Sequence, residues 1–219
     1  MKRALPVLAV VATAMFALAP FYIMQAPIEA TMGLVQKIFY FHVPSAMMMF
    51  VSTFVCGIAS ALFLFGKRER ADRVAVAAAE LVVMFGLIVL VTGPIWARKS
   101  WGVWWQWDAR LTLSLLLWMI FLAYLLVRKY GGPGSEKLAA AMALFGMADV
   151  PFVYVSVNIW RTLHPTTSVV PTLQRSMAGP FWFSVAAFAV LYILLLTLRV
   201  RLAHQQADVE RLYLIANED

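Results

Sequence analysis

The chain has 219 residues, is 63% hydrophobic and 13% charged, and carries a formal charge of +7, with a mean hydropathy of +0.81. Soluble domains carry about 25% charged residues, so this much apolar surface excludes a water-soluble globule and makes lipid the solvent. The positive charge then reports on loop orientation. A nucleic-acid partner would need the cations gathered on one soluble face, and the pattern provides none.

The elements follow from the length of the apolar runs, since a helix crossing a bilayer needs about 20 predominantly apolar residues. Six runs qualify, at about 4–24, 43–65, 75–97, 111–128, 138–160 and 179–198. Lipid offers the backbone no hydrogen-bond partners, and these runs are far longer than barrel strands. The prediction is an all-α polytopic protein of six transmembrane helices, one integral membrane domain over 1–219 with a short mixed-charge tail from 199. The first run could be a secretory signal with Ala17-Leu18-Ala19 as its cleavage site. It outlasts the usual 7–15-residue signal core, and Pro20 after the cut disfavours processing, so it reads as a retained helix. Cys56, the single cysteine, lies inside an apolar run and reads as a small buried hydrophobe.

The connectors alternate in charge. Lys2, Arg3, Lys67, Arg68, Arg70, Arg73, Arg128, Lys129, Lys137, Arg199, Arg201 and Arg211 fall on one side; Lys37, Arg98, Lys99, Arg110, Arg161 and Arg175 fall on the other. The more basic side is expected to be cytoplasmic, with both termini in the cytoplasm. The outward segments are then about 25–42, 98–110 and 161–178. In the first, Ile28, Met32, Val35 and Phe39 recur at helical spacing and are expected to lie along the membrane surface.

The second outward segment is Trp101-Gly102-Val103-Trp104-Trp105-Gln106-Trp107-Asp108-Ala109-Arg110, which holds four of the eight tryptophans. Tryptophan is common at membrane interfaces, and an aromatic belt is the plain reading. Four in seven residues point further, to a surface that receives something flat. If the stretch is helical, Trp101, Trp104, Trp105 and Asp108 share an arc of about 100° and Arg110 points the other way. Two histidines fall on the same side. His42 stands at the outer entrance of the second helix, just before Val43-Pro44, and His164 precedes Pro165 after the fifth. Either could be a hydrogen-bonded structural residue. As a pair they suit the two axial positions of haem iron, with Lys37, Arg98, Lys99, Arg161 and Arg175 as cations for its carboxylates. Two acids lie within the apolar runs. Glu80 is near enough to a helix end to reach water, whereas Asp149 sits near mid-helix, where an ionisable group marks function or anchors packing.

At these residues the sequence resembles a known family. Trp101 through Thr112 is similar to the tryptophan-rich "WWD" motif of haem-handling membrane proteins. Six helices, with the motif between the third and fourth and flanked by Lys37–Pro44 and Leu163-His164-Pro165, resemble the haem exporter protein C (CcmC) family of cytochrome c maturation. The resemblance covers nearly the whole chain; related haem lyases with the same motif are much longer. It implies an inner-membrane protein with a periplasm-facing site for haem b as cargo. His42 and His164 would be the iron ligands, with Trp101, Gly102, Trp104, Trp105, Trp107, Asp108 and Arg110 around the porphyrin. It also implies a membrane-tethered haem chaperone as recipient, assistance to covalent haem attachment rather than ordinary enzyme activity, and an ATP-binding-cassette transporter with a small membrane subunit nearby. Two other readings stay open: an ion-coupled transporter using Asp149, and a membrane b-type haem electron carrier.

Overall fold

A computed structural model describes residues 4–216; Lys2 and Arg3, two of the orienting cations, lie outside the described residues. Six helices make up the fold: α1 (Ala4–Gln25), α2 (Phe39–Gly66), α3 (Glu69–Trp101), α4 (Ala109–Tyr130), α5 (Ser135–Ile159) and α6 (Arg175–Ala216). All six are long and apolar enough to cross a membrane, and there is no strand among the described residues.

α2 and α3 form the centre. They pack on each other, α2 also on α5 and α6, α3 also on α4 and α6, while α1 leans on α6. Small residues make the close approaches possible. Ala75, Ala78 and Ala79 are buried along α3, and the Ser52 hydroxyl crosses from α2 to donate to the Ala78 carbonyl at 2.8 Å. Gly57 gives up its side-chain space to Met147 on α5, and Gly146 gives its space to Phe121 on α4. These small-residue contacts are therefore internal to the chain. Cys56 is fully buried. α1 is tied down by aromatic pairs, Phe16 with Phe188 at 5.1 Å and Tyr22 stacked on Phe183 at 4.6 Å.

Two expectations about element ends are corrected. The stretch before α2 is not one amphipathic helix: only Leu34–Ile38 is helical, a 3-10 turn. The Glu29 carboxylate accepts from the backbone N–H groups of Thr31 (2.8 Å) and Met32 (2.5 Å), and Gly33 turns at φ +61°. That local closure competes successfully with helix. α2 starts before Pro44, which places His42 in helix rather than in a loop. The stretch 199–216, read from sequence as a short tail, is helical and continues α6. No glycine or proline follows Pro180, and Leu, Ala, Arg, Gln and Glu are strong helix formers. At 1.5 Å per residue the 42-residue helix is roughly 63 Å long, about twice a hydrocarbon core of roughly 30 Å.

Candidate functional site

At the end of the bundle where α1, α3 and α5 finish and α2, α4 and α6 begin, the helices leave a cavity of about 600 Å³. That lies within the range of small-molecule and cofactor sites, roughly 300–1,000 Å³. The walls are largely apolar and aromatic: Phe39, Phe50, Trp96, Trp101 and Trp105, with Met47 and Met49. His42, His164 and Arg110 also line it. Two histidines that are 122 positions apart in sequence (164 less 42) thus share one chamber.

Each imidazole is held by the same nitrogen. His42 Nδ1 lies 2.9 Å from the Thr92 hydroxyl on α3. His164 Nδ1 lies 2.9 Å from the Pro165 carbonyl, which can only accept, so His164 carries its proton there. Among the described residues no hydrogen bond engages Nε2 of either ring. Burial, and then the Arg110 cation, push the His164 pKa down to about 4 from 6.5, against smaller opposing pulls from the Pro165 carbonyl and Asp108. At neutral pH His164 is therefore an uncharged imidazole with a free lone pair, the form that binds metal.

The tryptophan-rich stretch does not form one platform. Gly102, at φ +77°, ends α3, and Asp108 begins α4 as its N-cap, its Oδ1 accepting from the Leu111 N–H at 2.9 Å. Residues between are irregular, so the helical arc expected for Trp101, Trp104, Trp105 and Asp108 does not exist. Trp101 and Trp105 line the cavity, while Trp104 and Trp107 are 59% and 74% exposed. The indoles meet edge to face rather than flat, Trp96 on Trp101 at 81° and Trp105 on Trp107 at 74°. Gly102 and Asp108 are likewise outside the cavity lining.

Asp108 has a different task. Its Oδ2 accepts from the Thr162 hydroxyl, and Thr162 Oγ1 accepts from the His164 backbone N–H at 3.0 Å. The acid at the end of the tryptophan motif thereby fastens the loop that carries His164 to the start of α4. Arg110, expected to point away, turns into the cavity wall. Its Nη1 donates to the carbonyls of Val153 (2.6 Å) and Tyr154 (3.3 Å) on α5. Among the described residues no hydrogen bond engages Nε or Nη2, so the guanidinium keeps donors for a ligand.

The other expected cations do not reach the chamber. Lys37 donates to the Ile23 carbonyl at 2.8 Å and to that of Ala26, closing the end of α1, and Arg98 donates to the Gly102 carbonyl. Lys99, Arg161 and Arg175 are exposed and absent from the lining. Asp149 is buried on α5 outside the cavity, with Oδ2 lacking a hydrogen-bond partner among the described residues. Glu80 is paired with Arg199. Sequence reading missed Trp96, Thr92 and Gln36. The segment Thr92-Gly93-Pro94 just before Trp96, polar and helix-breaking inside an apolar run, was the available signal.

Six membrane-length helices around a chamber walled by indoles and furnished with two imidazoles define a polytopic membrane protein with a cavity at one end. Residues 1–214 match the haem exporter protein C family, and the chain belongs to that family. It is 34% identical over 199 residues to heme exporter protein C of Bradyrhizobium diazoefficiens, covering 88% of this chain and 76% of the relative. It is 35% identical over 180 residues to a putative cytochrome c biosynthesis ccmC-like mitochondrial protein of Arabidopsis thaliana, covering 81% and 69%. Against heme exporter protein C of Escherichia coli K12 the identity is 30% over 183 residues, covering 80% and 73%.

Proposed function

We propose that this chain binds haem in the cavity through His42 and His164 and presents it to a recipient protein in the biogenesis of c-type cytochromes. The observation that carries the reading is the pair of imidazoles, each anchored through Nδ1 and each with Nε2 unengaged, in one indole-walled chamber. The donor set fits the cargo. Imidazole nitrogens are usual axial ligands of haem iron, indole and phenyl walls suit a porphyrin face, and the one lining arginine suits a carboxylate edge. Haem b, the form not yet joined to protein, is the cargo in this reading.

Orientation follows from charge. Among the described residues ten of the sixteen Lys and Arg, from Lys67 and Arg68 to the helix ends beside them and the C-terminal part of α6, belong to the opposite end, and the positive-inside rule favours that end in the cytoplasm and the cavity at the periplasmic face of the inner membrane. A recipient is then a membrane-tethered haem chaperone, which takes the haem with one edge exposed and held in place. Fixing the two partners in one geometry is how a presenting protein speeds a bond-forming step it does not itself perform. The family name of this chain and the cytochrome c biosynthesis name of its relative support a place among other maturation subunits; an ATP-binding-cassette transporter and a small membrane subunit are the neighbours this reading proposes.

The test is the single variants His42→Ala and His164→Ala, purified from haem-replete cells and titrated with haem. Each is expected to lose the six-coordinate low-spin spectrum. Unchanged Soret bands in both would overturn the ligand assignment.

A further inference from the structure

A histidine that is to bind iron through Nε2 must carry its proton on Nδ1, and something must keep it there. Thr92, half-buried on α3, supplies that hold by its own bonding. Its hydroxyl donates to the Ile88 carbonyl one turn back, at 2.7 Å. A hydroxyl has a single proton, and this one is spent. The same oxygen lies 2.9 Å from His42 Nδ1, so it can only accept there. The proton of the imidazole is thereby placed on Nδ1, and the lone pair on Nε2.

The neighbouring residue explains how the ring comes so close to α3. A Cβ built on Gly93 would stand 3.3 Å from His42 Cε1, tighter than ordinary contact. With glycine there, the imidazole edge lies against the helix backbone and its Nδ1 meets the Thr92 oxygen. Arg110 and His164 line the same cavity, and among the described residues no hydrogen bond joins either of them to His42 Nδ1.

We propose that Thr92, with Gly93 beside it, is the positioning residue for His42, fixing its tautomer and leaving Nε2 for the iron. The consequence for haem rests on the haem-binding reading above; the tautomer itself does not. Outer partners of metal-binding histidines typically contribute about 10–100-fold in affinity, and an effect of that size is expected here.

The experiment uses the full chain in detergent micelles, isotope-labelled at the nitrogens of its three histidines, first without haem. Nitrogen NMR, assigned with His164→Gln and His204→Gln, should show wild-type His42 protonated at Nδ1 and bare at Nε2. Thr92→Val keeps the shape and removes the acceptor, and should shift His42 toward the other tautomer. Thr92→Ser should restore the wild-type signal. Haem titration of the same samples should then show about 10–100-fold weaker binding for Thr92→Val and near-normal binding for Thr92→Ser. Gly93→Ala, which leaves the hydroxyl in place, should weaken binding by displacing the ring. A wild-type tautomer in Thr92→Val, or Nε2–H in the wild type, would overturn the proposal. A Thr92-dependent tautomer in a protein that takes up no haem would uphold the positioning role and overturn the haem reading instead.

Discussion

The two ends of this bundle treat their polar groups in opposite ways. At the end with the short connectors 67–68 and 131–134, charges satisfy one another: Arg128 meets Asp72 at 2.6 Å, and Arg199 clasps Glu80 through two nitrogens. At the cavity end, both histidines have one nitrogen engaged and one not, and Arg110 keeps donors in hand. A buried polar group without its full set of partners costs free energy. The unengaged nitrogens of His42, His164 and Arg110 belong to residues that line one chamber, where a ligand could meet them.

Among variants that leave both histidines and their Nδ1 partners in place, breaking the cavity end at Arg110 should have the largest effect. Arg110→Gln is expected to weaken haem binding by about tenfold or more, the worth of a charge-assisted hydrogen bond at about 1.5–3 kcal/mol. Binding of haem dimethyl ester, which lacks the charged carboxylates, should change much less. Equal losses for the two ligands in parallel titrations would sink the carboxylate role.

Next comes Asp108→Ala. It removes a helix cap, at about 1 kcal/mol of stability, and releases Thr162, so the His164 loop should exchange its amide hydrogens faster. Haem binding should weaken by up to about tenfold, as for the loss of an outer partner. Hydrogen exchange over 160–174 that matches the wild type would contradict the tether.

A pH series sharpens the comparison from another side. The folded-state pKa of His164, about 4, lies below the ordinary 6.5. Between those values the unfolded chain takes up a proton that the folded chain refuses. This contribution to stability is therefore intact above pH 6.5 and lost as pH falls toward about 4. NMR titration of the haem-free protein should find His164 neutral at pH 5.5, where an exposed histidine is mostly charged.

Smallest of all is the opposite end. Glu80→Gln breaks a partly exposed ion pair, with side chains 30% and 41% exposed, and should cost under about 1 kcal/mol. Haem affinity should not move. A titration showing that it does would blur the distinction between the ends.

The spans were legible because lipid imposes one rule everywhere: enough apolar residues, all in helix. That rule is silent about where a helix stops, and the errors gathered there. Pro44 suggested a loop at His42, yet α2 tolerates it, and the Ser45 hydroxyl donates to the Phe41 carbonyl at 2.7 Å beside it. The tryptophan stretch suggested one helical face, but Gly102 and the Asp108 cap break it between two helices. Both histidines and two of the wall tryptophans could be named from composition and position. Thr92 could not, because its meaning depends on His42 arriving 2.9 Å away from another helix.

The central claim is that His42 and His164 together hold haem in this cavity. The most direct measurement is the absorption spectrum of the purified wild type beside a folded His42→Ala/His164→Ala double variant, both from haem-replete cells. A Soret band in the first that is absent from the second is the predicted result. A colourless wild type, or a double variant with the same band, would contradict it.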